Sequence, residues 1–153
     1  MVPFLDLANY SPTGGRFDLD GRGNICLFVE GGVQAGREVF LDYGARSNDQ
    51  FLLHYGFVPF PNPADTVNVP LVDGGKYEVT WKELANPLSA DLREACAALL
   101  DSMVTTLDDD MMELNAATAT LEGGDASVED YDLVLALQYR VSKKRLLTAA
   151  CGL

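Results

Sequence analysis

The sequence predicts an α+β fold, β-rich to about residue 82 and helical from residue 83 to the end. Three observations carry that expectation. Runs of β-branched and aromatic residues separated by Gly-rich turns occupy the first half. After about residue 86 the composition shifts to Ala, Leu, Met and Asp. Within that second part, Ser89, Thr106 and Ser127 stand as caps before apolar-periodic segments, the last two with Asp three residues on.

Residues 1–23 begin with an apolar run, Val2–Leu7, and become loop-like through SPTGG and DGRGN. NICLFVE (Asn24–Glu30) reads as a strand, GGVQAG (Gly31–Gly36) as a loop and REVFLDY (Arg37–Tyr43) as a second strand. The short linker fits an antiparallel pair. Ser47-x-x-Gln50 is a capping box for a helix to Tyr55, with Phe51, Leu52 and Tyr55 on one face and Gly56 suited to the left-handed cap. A Pro-rich extended segment follows, Val58–Ala64. TVNVPLV (Thr66–Val72) reads as an edge strand because Pro70 lacks a donor, and YEVTW (Tyr77–Trp81) as another.

Ser89 caps a predicted helix from Ala90 to about Val104, with Leu92, Cys96, Leu99 and Met103 on one face. Thr106-x-x-Asp109 opens a second, to about Thr118. After the break at Gly123–Asp125, Ser127 with Glu129 and Asp130 opens a third, Val128 to about Ala149. Lys143, Lys144 and Arg145 read as its solvated, positively charged end.

The 153 residues suffice for a domain with a core, and 48% hydrophobic against 22% charged is globular. A net charge of −12 disfavours nucleic acid and anionic membrane as partners. Cys26, Cys96 and Cys151 are distant and odd in number, which fits a reducing intracellular compartment and offers no zinc spacing. No apolar run reaches spanning length, and MVPFLDLANYSP lacks a basic leader.

Conventional catalytic signals are weak. The GRG at Gly21–Gly23 precedes a strand and reads as a turn. His54 is the single histidine, without a nucleophile beside it. Asp108, Asp109 and Asp110 point in different directions on a helix, so no metal is expected, and Met111 and Met112 read as core. By composition Tyr43 and Tyr55 are packing aromatics.

The ordered combination of residues says more. VPFLDLANYSP followed by GREVFLDYGARSNDQFLLHYGFVPFPNPADTV closely resembles the C-terminal half of a SET domain, of the Rubisco large-subunit lysine methyltransferase and actin-histidine methyltransferase type. The pattern P-x-x-D-x-x-N-H-S is met by Pro3, Asp6, Asn9 and Ser11. Gly36, Glu38, Val39, Tyr43, Gly44, Ser47, Asn48, Leu52, Tyr55, Gly56 and Phe57 meet the G-x-E-V…Y-G-x-x-S-N…L-x-x-Y-G-F run, and Asn62, Asp65 and Val67 its tail. TTLDDDMMEL and then Arg140, Lys144 and Leu147 resemble the family's helical substrate-binding region, in shortened form.

That resemblance implies a SET-type division at 1–82 and 83–153, with S-adenosylmethionine as methyl donor and a protein lysine as acceptor. Tyr43 inherits the methyl-transfer pore. Asn9, the backbone of Tyr10, and Phe57 inherit cofactor contacts, and Tyr55 the substrate-lysine channel. Tyr10 stands where the family has His. The family's G-x-G cofactor loop and first strands are expected before residue 1, so the 153-residue chain alone is expected to be inactive and to bind cofactor poorly. The second reading is a non-catalytic protein-interaction module derived from such an enzyme.

Overall fold

The structure, a computed structural model, describes residues 7–152. Pro3, Asp6 and most of the apolar run from Val2 lie outside the described residues. The protein is mixed α+β, with two two-stranded antiparallel sheets and helices concentrated after residue 86. By contacts it divides into two compact units, Met1–Ala45 and Arg46–Leu153. The compositional change at 82/83 is a different boundary, because strands before it pack with helices after it.

In the first unit, β1 (Tyr10–Leu19) pairs with β2 (Ile25–Phe28) in the register Phe17↔Leu27 and Leu19↔Ile25. The turn between them is DGRGN. Asp20 organises it by accepting from the Arg22 and Asn24 amides and from Asn24 Nδ2, each at 2.8 Å. This hairpin corrects two expectations. The stretch read as a loop supplies the partner of β2, because Phe17 and Leu19 alternate with Arg16 and Asp18 behind the Pro-Thr-Gly-Gly that disguised the strand. Conversely, Arg37–Tyr43 forms no strand with Asn24–Glu30.

Instead, residues 40–42 cross β1. Leu41 N donates to Asn9 O at 2.9 Å, Gly15 N to Phe40 O at 2.9 Å and Asp42 N to Gly15 O at 2.8 Å. The crossing is tight enough that a Cβ on Gly14 would lie 2.5 Å from the Leu41 carbonyl carbon. Glycine at 14 is therefore required by close approach of two backbones.

The second unit begins with α1 (Asn48–Tyr55), whose Ser47–Gln50 capping box is complete and whose Gly56 closes it at φ 74°. Next come β3 (Thr66–Pro70) and β4 (Lys76–Thr80), which pair with Val67 opposite Val79. Alternation turns Val67, Val69 and Val79 inward and Asn68 and Glu78 outward. A 3-10 turn, Glu83–Ala85, leads to α2 (Ala90–Asp101), α3 (Leu107–Glu122) and α4 (Val128–Cys151), capped by Ser89, Thr106 and Ser127.

Two apolar clusters hold this unit together. Val67, Val69 and Val79 meet Leu92 and Cys96 of α2 and Leu146, Leu147 and Ala150 of α4. Leu114 and Ala117 of α3 meet Val134, Leu137 and Val141 of α4. Each buried Leu or Val contributes about 1.5–3 kcal/mol against exposure, so α4, present in both clusters, is the central element.

Two further expectations need correcting here. Lys143 and Lys144 are buried in the middle of α4 rather than solvated at its end, and its last turn holds no basic residue. Met112 is 73% exposed, while Met111 packs at the edge of the second cluster. A helix turns about 100° per residue, so adjacent methionines cannot share one buried face.

Candidate functional site

The residues expected to carry chemistry fall in both units. In the first, the crossing of residues 40–42 over β1 fixes Tyr43. Its hydroxyl donates to the Ala8 carbonyl at 2.8 Å, and its ring lies 5.4 Å from that of Tyr10. Burial, assisted by the Asp42 charge, pushes the Tyr10 phenol above its ordinary value. Asn9 is exposed. Its backbone oxygen is held by Leu41 N, and its Nδ2 donates to Glu38 Oε1. Asn9, Tyr10 and Tyr43 are thus brought together, with Glu38 as a fourth member.

In the second unit, Tyr55 ends α1 and Phe57 follows its glycine cap. Both pack on the buried Phe51, at 5.8 and 5.2 Å between ring centroids, and lie 6.3 Å from each other. Arg46 lays its guanidinium over the Tyr55 ring at 5.9 Å. Tyr55 remains 42% exposed, so the corner presents an aromatic face to solvent as well as to the core. Phe51 and Arg46 were not among the expected site residues. Spacing could have found Phe51, which lies one helical turn before Tyr55. His54 is exposed and edge-on to Tyr55 at 6.4 Å.

Other residues of the resemblance form a buried polar framework. Asn48 donates to Asp65 through its backbone N at 2.8 Å and through Nδ2 at 3.1 Å. Asn62 Nδ2 donates to Asn48 Oδ1 at 2.7 Å and to Arg46 O at 2.9 Å. Lys143 closes this cluster on Asp65 at 2.7 Å, on Thr66 O at 2.8 Å and on Asp49. Asp49 also accepts from the Tyr139 hydroxyl. Burial works to raise the Asp49 carboxyl, but the bonds from Lys143 and Tyr139 prevail and hold it below its ordinary value. Burial, with the same Asp49 bond, drives the Tyr139 phenol well upward.

One α-turn along, Asp110 of α3 is fully buried between Arg140, on Oδ1, and Lys144, 2.6 Å from Oδ2. Thr105 Oγ1 donates to Asp110 and accepts from Lys144 Nζ at 2.8 Å. Burial opposes ionisation of Asp110, yet the Lys144 and Thr105 bonds and the two cationic charges hold its carboxyl below the usual range. Hence the three consecutive aspartates separate as expected: Asp108 is exposed, Asp109 caps α3 and Asp110 is a buried clasp. Lys144 could have been read as buried, since Val134, Leu137, Val141 and Lys144 follow one another at three- and four-residue steps.

The framework is neutral: Asp49, Asp65 and Asp110 balance Arg140, Lys143 and Lys144. It is suited to holding elements in place. Tyr43, Tyr55 and Phe57 are not members of this ion-paired framework. No family model matches the chain, and no curated protein does either.

Proposed function

We propose that the chain is the C-terminal SET portion and shortened helical region of an S-adenosylmethionine-dependent protein-lysine methyltransferase. The observation that carries this reading is the backbone crossing of residues 40–42 over Asn9–Gly15, which ends with Tyr43 on the Ala8 carbonyl. It joins two segments that the resemblance pairs, although they lie about thirty residues apart in sequence. The framework supports it as well, since Asn48, Asn62 and Asp65 of the motif assemble with one another, and Arg140 and Lys144 with the acidic start of α3.

The residues fit such a cofactor. Aromatic faces attract a sulfonium, and Phe57 is a half-buried ring in an aromatic corner. Asn9 keeps its carboxamide oxygen as an acceptor for an ammonium group. S-adenosylmethionine supplies the methyl as an electrophilic sulfonium substituent. The resemblance gives the Tyr43 phenolic oxygen, whose proton is directed to Ala8 O, the role of acceptor for a lysine N–H. Such a contact orients the nitrogen lone pair along the line of displacement. Tyr55 walls the lysine channel; excluding water there favours the neutral, nucleophilic amine over the ammonium.

The test is transfer of labelled methyl groups to protein by the chain joined to a G-x-G-bearing SET N-terminal half. Tyr43→Phe is expected to lower turnover by on the order of 10²-fold, the scale of a misaligned near-attack geometry. Undiminished turnover in that variant would remove the role of Tyr43. Absence of any transfer by the joined protein would favour the interaction module, for which Tyr10 in the His position is the specific observation.

A further inference from the structure

A concave site in the Arg46–Leu153 unit borders the buried framework, with Asn62 and Ser142 in its lining, and includes none of the residues assigned to the proposed pore. It is a pocket with a volume near 470 Å³, lined by Phe60, Pro61, Pro63, Trp81 and Arg145. That size is within the range that encloses small ligands. Its other two polar residues are already engaged. Asn62 donates to Asn48 and Arg46, and Ser142 Oγ donates to Tyr139 O at 2.8 Å while accepting from Asn48 at 2.9 Å.

Arg145 differs from the neighbouring basic residues. Arg140, Lys143 and Lys144 each pair with a carboxylate, whereas Arg145 has no ion-pair partner among the described residues. This is notable in a chain with 23 acids and 11 lysines and arginines. Its guanidinium carbon lies over the Phe60 ring, 5.0 Å from the centroid, and its one polar contact among the described residues is a weak one from Nη2 to Met111 Sδ at 3.9 Å. Without a carboxylate partner, a guanidinium can offer its N–H groups as a fork of two parallel bonds.

We propose that this pocket binds a monocarboxylate carried on a flat apolar body, with the carboxylate on Arg145 and the body between Phe60, the two prolines and Trp81. A single guanidinium matches one carboxylate in charge and geometry. A phosphate dianion is a poor match, because no second cation lines the apolar walls. The inference is independent of methyl transfer and uses none of its residues.

Trp81 is the sole tryptophan, so its fluorescence reports on this pocket alone. The probe is phenylacetate, titrated into the full chain, with benzyl alcohol as the uncharged control and inorganic phosphate as the anion without an apolar body. Saturable change is expected with phenylacetate at on the order of 0.1–1 mM, as befits a small ligand. Binding is expected to weaken at least tenfold in Arg145→Gln and by less in Arg145→Lys, with unchanged circular dichroism in both. Should Arg145→Gln fail to fold, the comparison of Arg145→Lys with the parent chain decides, because a role for the fork requires weaker binding by the lysine. Equal binding of acid and alcohol, preference for phosphate, no saturation below 10 mM (about tenfold above the expected range), or indifference to both substitutions would overturn the proposal.

Discussion

Asp110 shows how much one side chain decides. It sits in the acidic run 108–110, yet it alone is buried and holds two cations from α4. Replacing it with Asn leaves Lys144, which is 3% exposed, without its counter-charge. The expected cost is about 3–5 kcal/mol, the scale of breaking a buried pair by removing one partner. Denaturant unfolding measures it, and a loss below about 1 kcal/mol, the worth of an exposed pair, would mean that water already screens the clasp. The pH dependence follows from the lowered Asp49 and Asp110 carboxyls. Their contribution is fully present above the ordinary carboxylate range near pH 4 and is lost as pH falls through their lower folded values. Asp110→Asn should therefore flatten the acid limb of the stability profile. A limb as steep as that of the parent chain would assign acid sensitivity elsewhere.

Helices were legible element by element because their signals are local. Ser47, Ser89, Thr106 and Ser127 each accept from the third residue onward, as their spacing predicted. The strand pair of the first unit was misread because turn-type residues sit inside β1. Pro12, Gly14 and Gly15 look like turn residues, but Gly14 is small so that another backbone can pass over it. Gly14→Ala is expected to open the crossing, since its new methyl would meet backbone rather than a side chain that can turn aside. Amide exchange at Leu41 and Asp42 should accelerate while α4 is unaffected. Unchanged protection at those two amides would show that the crossing tolerates a side chain.

At the scale of the molecule, stability is expected to be uneven. Only Gly15 and Leu41 are buried among the described residues of the first unit, and its hairpin leaves Phe17 47%, Leu19 61% and Ile25 50% exposed. A two-stranded ribbon with so little buried surface is marginal. The second unit has two apolar clusters and a buried polar framework around α4. Hydrogen exchange should therefore show the β1–β2 amides opening well below the free energy that protects α4. Equal protection in both units would refute this ordering. None of the described helices is long and apolar enough to cross a membrane.

The sequence by itself determined the α+β class, the helix starts and the existence of β3 and β4, because caps and alternation are written within a few residues of where they act. Tertiary structure decided which residues are framework. Asn48, Asn62, Asp65, Lys143, Lys144 and Asp110 became buried partners once distant segments met, and Arg145 became the cation of an apolar pocket. Burial is a property of packing. A lysine at a surface and a lysine against a buried aspartate have the same neighbours in sequence, and only the fold sets the dielectric and the partner that distinguish them.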